Sequence, residues 1–275
     1  MKKLLLGLVG VVAFAGSVTA ADLPARITTK APYVDPAYNW TGFYLGVNAG
    51  GAWGRSDAAT TTIFSNTGYF NITSPGAIAV AGAQRLNSSG FTGGLTAGYN
   101  WQSSNIVFGL ESDFNYFGPR GSSSGTGIYP CCAPTGFTVN SSVSTDWLIT
   151  FRPRLGIASN NWLFYVTGGL AVADVKSNFS FTDTFAAATE SGSISRTKAG
   201  WTAGGGVEYA LMNGWSVKAE YLHVDLGSES LASSNLRTVN SAFPVNVFTH
   251  AMDLRADIVR GGLNYKFGGP VVARY

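Results

Sequence analysis

Residues 147–157 read Trp-Leu-Ile-Thr-Phe-Arg-Pro-Arg-Leu-Gly-Ile, an alternation of apolar and polar side chains. Large apolar residues occupy one face of this alternation, and Thr150, Arg152, Arg154 and Gly156 occupy the other. A period of two residues is typical of a β-strand whose two faces meet different environments. About ten residues is also the length that a tilted strand needs to cross a bilayer. The stretch therefore predicts a membrane strand with a polar inner face.

The same alternation recurs along most of the chain, in segments of about ten residues that are rich in aromatic residues and Gly. The eight segments with this pattern are 40–53, 91–101, 106–116, 147–157, 162–173, 201–211, 215–223 and 258–267. We predict an all-β fold, namely an eight-stranded antiparallel transmembrane β-barrel.

The connections between these segments alternate in length. Residues 102–105, 158–161 and 212–214 are short, whereas residues 54–89, 117–146, 174–199 and 224–250 are long and rich in Ser, Thr, Asn and Gly. Outer-membrane barrels have this asymmetry. The pattern predicts long extracellular loops and short periplasmic turns.

The composition excludes three other classes of protein. Charged residues make up 12% and aromatic residues 13% of the 275 residues, which is the opposite of a disordered chain. No run of 18 or more apolar residues follows residue 20, which argues against a helical membrane protein. Without Lys2 and Lys3, which lie in the leader described next, 16 basic residues balance 15 acidic ones. Such a balance does not favour binding to nucleic acid.

The amino terminus predicts export. Two lysines precede the apolar stretch 4–15, and small residues follow up to Ala20, as in a secretory signal peptide. Three prolines and no periodicity follow, which indicates an extended periplasmic lead-in. We divide the chain into a signal peptide at 1–20, a lead-in at 21–39, an outer-membrane β-barrel at 40–267 and a C-terminal tail at 268–275. The predicted location is the bacterial cell outer membrane.

Aromatic residues gather at both ends of the predicted strands, as in the girdles of membrane barrels. Trp101, Trp162, Trp215, Tyr265 and Phe267 lie at the short-turn end, and Trp53, Tyr116, Trp147 and Trp201 lie at the long-loop end. A soluble lipocalin-like barrel would also have eight alternating strands. Its outer face would carry charges, however, whereas the polar face here consists mainly of Gly, Thr, Ser and Asn. We therefore favour the membrane barrel.

With the apolar face toward lipid, the charges on the strands point inward. They are Glu111, Asp113, Arg152, Arg154, Glu208, Lys218, Glu220 and Arg260. The turn at 212–214 predicts that Glu208 lies opposite Lys218, and if Glu111 lies opposite Arg154, then Asp113 lies opposite Arg152. An eight-stranded barrel is just filled by side chains, and buried charges must be paired. We interpret the eight residues as a salt-bridged structural plug, with an ion path or gate as the alternative.

Other reactive side chains are few. His223 and His250 are far apart in sequence and lack the ligand spacing of a metal site. A lipid hydrolase built on His223 and Asp225 would need a serine that the sequence does not place near them. Cys131 and Cys132 are adjacent; a loop disulfide, an intermolecular bridge and free thiols are all open, although export favours some disulfide. We predict no cofactor, no metal, no catalytic residue and no enzymatic activity.

Three segments resemble one known family. Residues 20–54, AADLPARITTKAPYVDPAYNWTGFYLGVNAGGAWG, look like the start of the small outer-membrane porin-like proteins of alphaproteobacteria. Residues 215–227 are similar to the seventh strand of these proteins, and residues 260–267 to the last strand. The resemblance implies an eight-stranded barrel like the transmembrane domain of OmpA, in a family that includes major surface antigens and proteins tied to envelope integrity. This chain departs from the usual aromatic ending, because residues 268–274 separate Phe267 from Tyr275.

The predicted function is that of an integral outer-membrane barrel with a structural, envelope-integrity or surface-interaction role. One alternative is a small-solute porin, and a second is a lipid-modifying outer-membrane enzyme. The expected partners are outer-membrane lipid and lipopolysaccharide, the barrel insertion machinery through the C-terminal strand, and an unknown surface ligand through the loops. Nucleic acid is not expected as a partner.

Overall fold

The computed structural model describes residues 38–268. The predicted signal peptide, all but the last two residues of the lead-in and all but the first residue of the tail lie outside the described residues. The strands are β1 Gly42–Thr62, β2 Gln84–Ser103, β3 Ile106–Phe117, β4 Arg120–Ile128, β5 Gly136–Ser159, β6 Trp162–Asp183, β7 Thr189–Ala210, β8 Trp215–Ser233 and β9 Phe248–Lys266, and a helix α1, Ser74–Gly82, lies between β1 and β2. Within residues 38–268, no helix is long and apolar enough to cross a membrane.

The sheet closes on itself. The neighbours run in the order β1, β9, β8, β7, β6, β5, β3, β2, and β2 pairs with β1 again. All of these pairings are antiparallel. The prediction of an all-β, eight-stranded antiparallel barrel is therefore confirmed.

The additional strand β4 continues the line of β3 rather than adding a position to the ring. Like β3, it pairs with β5, and it meets β2 where Arg120 lies opposite Ser89. The interruption between β3 and β4 is Gly118-Pro119. Proline lacks the amide hydrogen that a continuous ladder needs, so the strand breaks there.

The short turns at one end of the barrel follow the prediction. β2 and β3, β5 and β6, and β7 and β8 are joined there by tight connections. Ser104, Asn160, Asn213 and Gly214 adopt positive φ angles of 55°, 52°, 59° and 82° in these turns. Positive φ at the turn residues matches the twist of the flanking strands and allows a tight hairpin.

The predicted extents of the long loops were wrong. β5 begins at Gly136 rather than at residue 147, and β6 continues to Asp183 rather than ending at residue 173. From Leu170 to Asp183, a tilted strand extends the barrel by about 30 Å beyond the membrane-spanning part. These extensions were missed because their outward residues face water and are Ser, Thr and Asn, which are typical of loops. The irregular connections that remain are 63–73, 129–135, 184–188 and 234–247.

Candidate functional site

The eight charged residues predicted to point inward all lie in the lumen, at the level of the apolar outer belt. Each is at most 4% exposed. Four are acids and four are bases, so the group is formally neutral. The members are Glu111 and Asp113 on β3, Arg152 and Arg154 on β5, Glu208 on β7, Lys218 and Glu220 on β8, and Arg260 on β9.

Arg152 is the centre of this charge network. Its guanidinium lies 2.7 Å from Glu111, 2.6 Å from Asp113 and 3.1 Å from Glu220. Arg260 approaches from β9 and lies 2.8 Å from Asp113 and 2.5 Å from Glu220. Since Glu220 is on β8 and Asp113 is on β3, these ion pairs cross the lumen from wall to wall.

A second set of ion pairs extends the network. The Nζ atom of Lys218 lies 2.9 Å from both carboxylate oxygens of Glu111. Arg154 lies 3.2 Å from Glu208 and 3.4 Å from Glu111. Glu111 thus joins the two sets, and no acid of the network is left without a basic partner.

Two tyrosine rings complete the packing around Arg154. Its guanidinium lies 4.7 Å from the ring centre of Tyr44 and 5.1 Å from that of Tyr165, within the range of cation–π attraction. Gly98 and Gly206 make room for the rings, because a Cβ atom at either position would lie within 2.7 Å of a tyrosine hydroxyl. The hydroxyls of Tyr44 and Tyr165 also donate hydrogen bonds to network carboxylates, at 2.7 and 3.0 Å.

The predicted register between β3 and β5 was wrong. The paired residues are Glu111–Arg152, Gly109–Arg154 and Asp113–Thr150. No tight turn joins β3 to β5, since β4 and its hairpin intervene, so nothing local in the sequence sets this register. The side chains of Arg152 and Asp113 nevertheless meet, because arginine reaches diagonally across neighbouring strands.

The tight turn between β7 and β8 does set a register, and Glu208 lies opposite Lys218 as predicted. The two side chains do not pair, however. Lys218 reaches across the lumen to Glu111, and Glu208 bonds to Arg154 and to Ser216. Strand register alone therefore does not determine ion pairs in a lumen this narrow.

Trp40 occupies the mouth of the barrel at the short-turn end. It was predicted as the first residue of a strand, but β1 begins at Gly42, and the indole instead packs against the luminal residues Val107 and Leu163. Trp40 is only 2% exposed, and its backbone N–H donates a 2.7 Å hydrogen bond to Gln102. A large apolar group thus fills the lumen below the charge network.

Above the charge network the lumen is mainly apolar, although His250 and Glu190 are also buried there. Phe117, Val175, Leu226, Met252 and other inward-facing residues form one buried cluster. Inward-facing apolar residues are what a water-surrounded barrel buries as its core. Side chains fill this part of the lumen apart from a cavity of about 30 Å³, which is lined by residues that include Val143, Val175 and Leu254.

An aromatic lid closes the opposite mouth, at the end with the long connections. Phe70, Phe181 and Phe248 pack with Ile78 of α1, and all four are at most 4% exposed. Asp183 anchors the lid, because it accepts hydrogen bonds from Tyr69 at 2.5 Å and Tyr129 at 3.0 Å. The lid was missed in the sequence, where its aromatic residues are scattered among polar ones in apparent loops.

The nine residues predicted as aromatic girdles lie on the outer wall. Trp101, Trp162, Trp215, Tyr265 and Phe267 are exposed near the short turns, Trp53, Tyr116 and Trp201 are exposed toward the other end, and Trp147 is half-buried. Tyr116 and Trp147 lie opposite each other on neighbouring strands. The two groups are separated by outward-facing apolar residues such as Leu155 and Phe164.

The two histidines occupy separate places. His223 lies 2.8 Å from Asp257 on the outer wall, and Asp225 instead pairs with Arg255 at 3.3 Å. His250 is buried in the upper lumen and lies 3.2 Å from Glu190. Within residues 38–268, no group of three or more His, Cys, Asp or Glu side chains is placed to hold a metal ion.

The two cysteines are bonded to each other. Cys131 and Cys132 form an intramolecular disulfide in the 129–135 connection. Of the three states that the sequence left open, the structure shows the disulfide within the loop. The bridge lies beside Tyr129 at the mouth that the lid closes.

A closed barrel with an apolar belt between two aromatic groups corresponds to a known family. The sequence profile described as "Outer membrane protein beta-barrel domain" matches residues 7–267. The chain belongs to this family. It is 36% identical over 271 residues to the 31 kDa outer-membrane immunogenic protein of Brucella melitensis, and the match covers 97% of this chain and 100% of that protein.

Two further proteins are similar to this outer-membrane barrel. The 22 kDa outer membrane protein of Rhizobium leguminosarum bv. viciae is 32% identical over 196 residues, which cover 71% of this chain and 69% of that protein. The crystal structure of OprG from Pseudomonas aeruginosa aligns with a TM-score of 0.42 and 11% identity, over 83% of this chain and 98% of that one.

These findings place the protein in the bacterial outer membrane, as predicted. The predicted resemblance to alphaproteobacterial surface antigens is also confirmed. The apolar belt of the barrel consequently faces lipid. The names of the two relatives describe a location and an immune response rather than a reaction.

Proposed function

We propose that this outer-membrane barrel is a non-conducting structural protein that holds a rigid surface platform above the membrane. The observation that carries the proposal is the charge network, whose ion pairs cross the lumen between β3, β5, β8 and β9. A solute would have to break several buried ion pairs to pass. Breaking such pairs leaves uncompensated charges in a place that water does not reach.

The other levels of the lumen support the same role. Trp40 fills the mouth below the network, the apolar cluster fills the lumen above it, and the aromatic lid covers the top. General porins with water-filled lumens need about 16–18 strands, whereas eight strands leave room for little more than side chains. These features disfavour the small-solute porin.

A lipid-modifying enzyme is the less favoured alternative. His250 lies 3.0 Å from the hydroxyl of Thr60 and 3.2 Å from Glu190, but all three side chains are buried in the upper lumen, where no substrate reaches them. The more accessible candidate is His223 with Asp257, which also accepts a hydrogen bond from Tyr221 at 2.7 Å. A hydrolase of the serine type needs a hydroxyl in contact with the histidine. In the described part of the chain, no serine side chain is hydrogen-bonded to His223. We therefore propose that the protein is not an enzyme.

The proposed partners follow from the outer surface. The girdle residues would contact outer-membrane lipid and lipopolysaccharide, since indole and phenol rings favour the headgroup region. We propose that the barrel insertion machinery engages β9, the last strand, which is followed directly by Phe267. The extracellular connections would carry the surface interactions, and the name "immunogenic" of the 31 kDa relative agrees with exposure at the cell surface.

Conductance of the refolded protein in planar bilayers tests this proposal. We expect no steady channel steps from the wild-type protein, with a general porin in the same bilayers as the positive control. The Arg152→Ala/Trp40→Ala double variant removes two levels of the seal and should conduct intermittently. Steady wild-type steps, together with an Arg152→Ala variant that changes ion selectivity without losing stability, would replace the structural role with the porin alternative.

A further inference from the structure

A pocket of about 340 Å³ opens at the extracellular tip of the barrel. Its walls come from the 63–73 connection before α1, from the 129–135 connection with its disulfide, and from Phe185 in the 184–188 connection. Three connections that are distant in sequence thus meet at one concave surface. The charge network and the other parts of the luminal seal do not involve this pocket.

The pocket is uncharged. Among the described residues that line it there is no Asp, Glu, Lys, Arg or His. The phenols of Tyr69 and Tyr129 bind to Asp183, and burial, together with this carboxylate, raises the pKa of both hydroxyls well above the usual value. Both phenols are neutral at physiological pH, as tyrosine already is at its ordinary pKa of about 10. An anionic or cationic ligand would lose its hydration here without gaining a partner of opposite charge.

The lining combines apolar faces with polar groups. Phe64 is 42% exposed and Phe185 is 60% exposed, although both are large apolar residues on the water side of the barrel. Asn66, Asn71 and Ser65 lie beside them and offer amide and hydroxyl groups. Exposed aromatic faces next to neutral hydrogen-bonding groups suit a ligand that is itself apolar on one face and hydroxylated at its edge.

The walls of the pocket are held in place by the barrel beneath them. Asn246 accepts a hydrogen bond from the N–H of Tyr69 at 2.7 Å and donates one to the carbonyl of Ile63 at 3.1 Å. Phe70 is 4% exposed and anchors the same connection in the aromatic lid. The opposite wall includes the Cys131–Cys132 disulfide and Tyr129, whose hydroxyl donates a 3.0 Å hydrogen bond to Asp183. A preformed pocket binds its ligand without first ordering a loop, which favours affinity.

We propose that this pocket binds a neutral saccharide. A sugar ring presents C–H groups that pack on the exposed faces of Phe64 and Phe185, and hydroxyls that bond to the amide and hydroxyl groups beside them. A volume at the low end of small-molecule pockets leaves room for about one or two sugar rings. The proposal specifies the ligand class for the surface-interaction part of the proposed function, and it does not depend on whether the barrel conducts.

Saturation-transfer NMR and calorimetry on the full refolded barrel test the proposal, with lactose, maltose and N,N′-diacetylchitobiose as probes. The detergent must have a phosphocholine or amine-oxide headgroup, because the sugar headgroup of a maltoside would compete. We expect at least one disaccharide to bind, about tenfold more weakly to Phe64→Ala and to Phe185→Ala. Phe64→Tyr should retain binding. Val239→Ala is the matched control, since Val239 is 82% exposed and does not line the pocket.

The fold of each variant is checked by the difference in gel migration between unboiled and boiled samples. A result in which no disaccharide binds to the folded wild-type protein overturns the proposal. So does binding that Phe64→Ala and Phe185→Ala leave unchanged. If the neutral dye Nile red binds instead, and Phe64→Ala abolishes it, the pocket accepts apolar molecules rather than sugars. None of these outcomes bears on conductance, so the structural role of the barrel is judged separately.

Discussion

The membrane-spanning half and the extracellular half of the barrel use the same strands in opposite ways. On β6, the outward residues of the lower half include Phe164 and Val166, and those of the upper half include Asn178 and Ser180. The residues that face the lumen show the opposite change. They are mostly polar or charged in the membrane-spanning half and mostly apolar in the extracellular half. Lipid surrounds the lower half and water surrounds the upper half, so each half places on its outside what its own solvent tolerates.

The inversion shows that alternation predicts a strand but not which face is inside. On β6 the odd-numbered residues face the lumen along the whole strand, from Leu163 to Phe181. The outer face nevertheless changes from apolar to polar, and the inner face becomes more apolar. β5 instead has an irregularity between Thr145 and Leu148, where the parity of the inward residues switches. The two halves are therefore stabilised differently, the lower mainly by buried ion pairs in the lumen and the upper mainly by apolar burial, with His250 and Glu190 as a buried polar contact.

The largest expected effect comes from removing the central charge of the lower half. Arg152→Ala leaves Glu111, Asp113 and Glu220 short of a partner, and an unpaired buried charge destabilises by about 3–5 kcal/mol. We expect the midpoint of urea unfolding in detergent micelles to fall accordingly. The control is Arg85→Ala, because the Arg85–Asp57 pair is exposed and contributes about 1 kcal/mol or less.

Equal effects of Arg152→Ala and Arg85→Ala would indicate that water enters the network. The two halves would then differ less than the structure implies, and the conductance measurement would decide whether that water forms a path.

A smaller effect is expected from placing the same residue on the outer wall of each half. Ile149 and Asn140 both point outward from β5, but Ile149 faces lipid and Asn140 faces water. Ile149→Arg should destabilise the barrel by about 1–2 kcal/mol, because Ile149 is only two residues from the girdle residue Trp147 and the cost of an arginine falls from about 2–4 kcal/mol at the bilayer middle toward the interface. Asn140→Arg should be nearly neutral. Unfolding in lipid vesicles measures both, and a larger loss for Asn140→Arg would invert the assignment of the two halves.

The smallest expected effect is a pH dependence confined to the upper half. The pKa values of Tyr69 and Tyr129 are raised by burial and by Asp183, above the value of about 10 of an unfolded tyrosine. A raised pKa means that the folded lid binds these protons more tightly than the open lid does. The stabilisation is complete below pH of about 10 and declines as the pH rises toward the folded pKa values.

Protease cleavage in the extracellular connections should therefore accelerate above pH of about 10. The barrel itself should stay folded, as shown by the migration of unboiled samples on a denaturing gel. The Tyr69→Phe/Tyr129→Phe variant should show no such acceleration. If wild type and variant respond alike, the lid does not depend on these two protons.

Much of the lower half was predictable from the sequence, for a physical reason. Lipid requires apolar residues such as Ile149 on the outside, and charged residues such as Arg152 are therefore placed in the lumen. The alternation, the strand length and the aromatic residues at the strand ends all predict the same membrane strand. The partners of Arg152 were not predictable in the same way. Ion pairs across a lumen depend on the register of strands that no tight turn joins, as the shift between β3 and β5 illustrates.

The strands of the upper half were not predicted, because their composition is typical of loops. Ser142 and Asn178 lie in continuous strands, but a strand whose outer face is solvated by water needs only hydroxyls and amides there. The lid and the pocket were hidden for a second reason. Phe70, Tyr129 and Asp183 meet only after three connections are brought together by the closed ring.

By itself, the sequence determined the class of fold, the eight strand positions, the short turns, the lipid-facing belt and the location in the outer membrane. Each of these follows from interactions between residues near in sequence, or between a strand and its solvent. Only the tertiary structure decided which charges pair, how far the barrel extends above the membrane, and that Trp40, the apolar cluster and the lid close the lumen. Those features arise from contacts across a closed ring, where residues more than a hundred positions apart, such as Lys218 and Glu111, are neighbours. A period-two pattern carries no information about such contacts, because it describes one strand at a time.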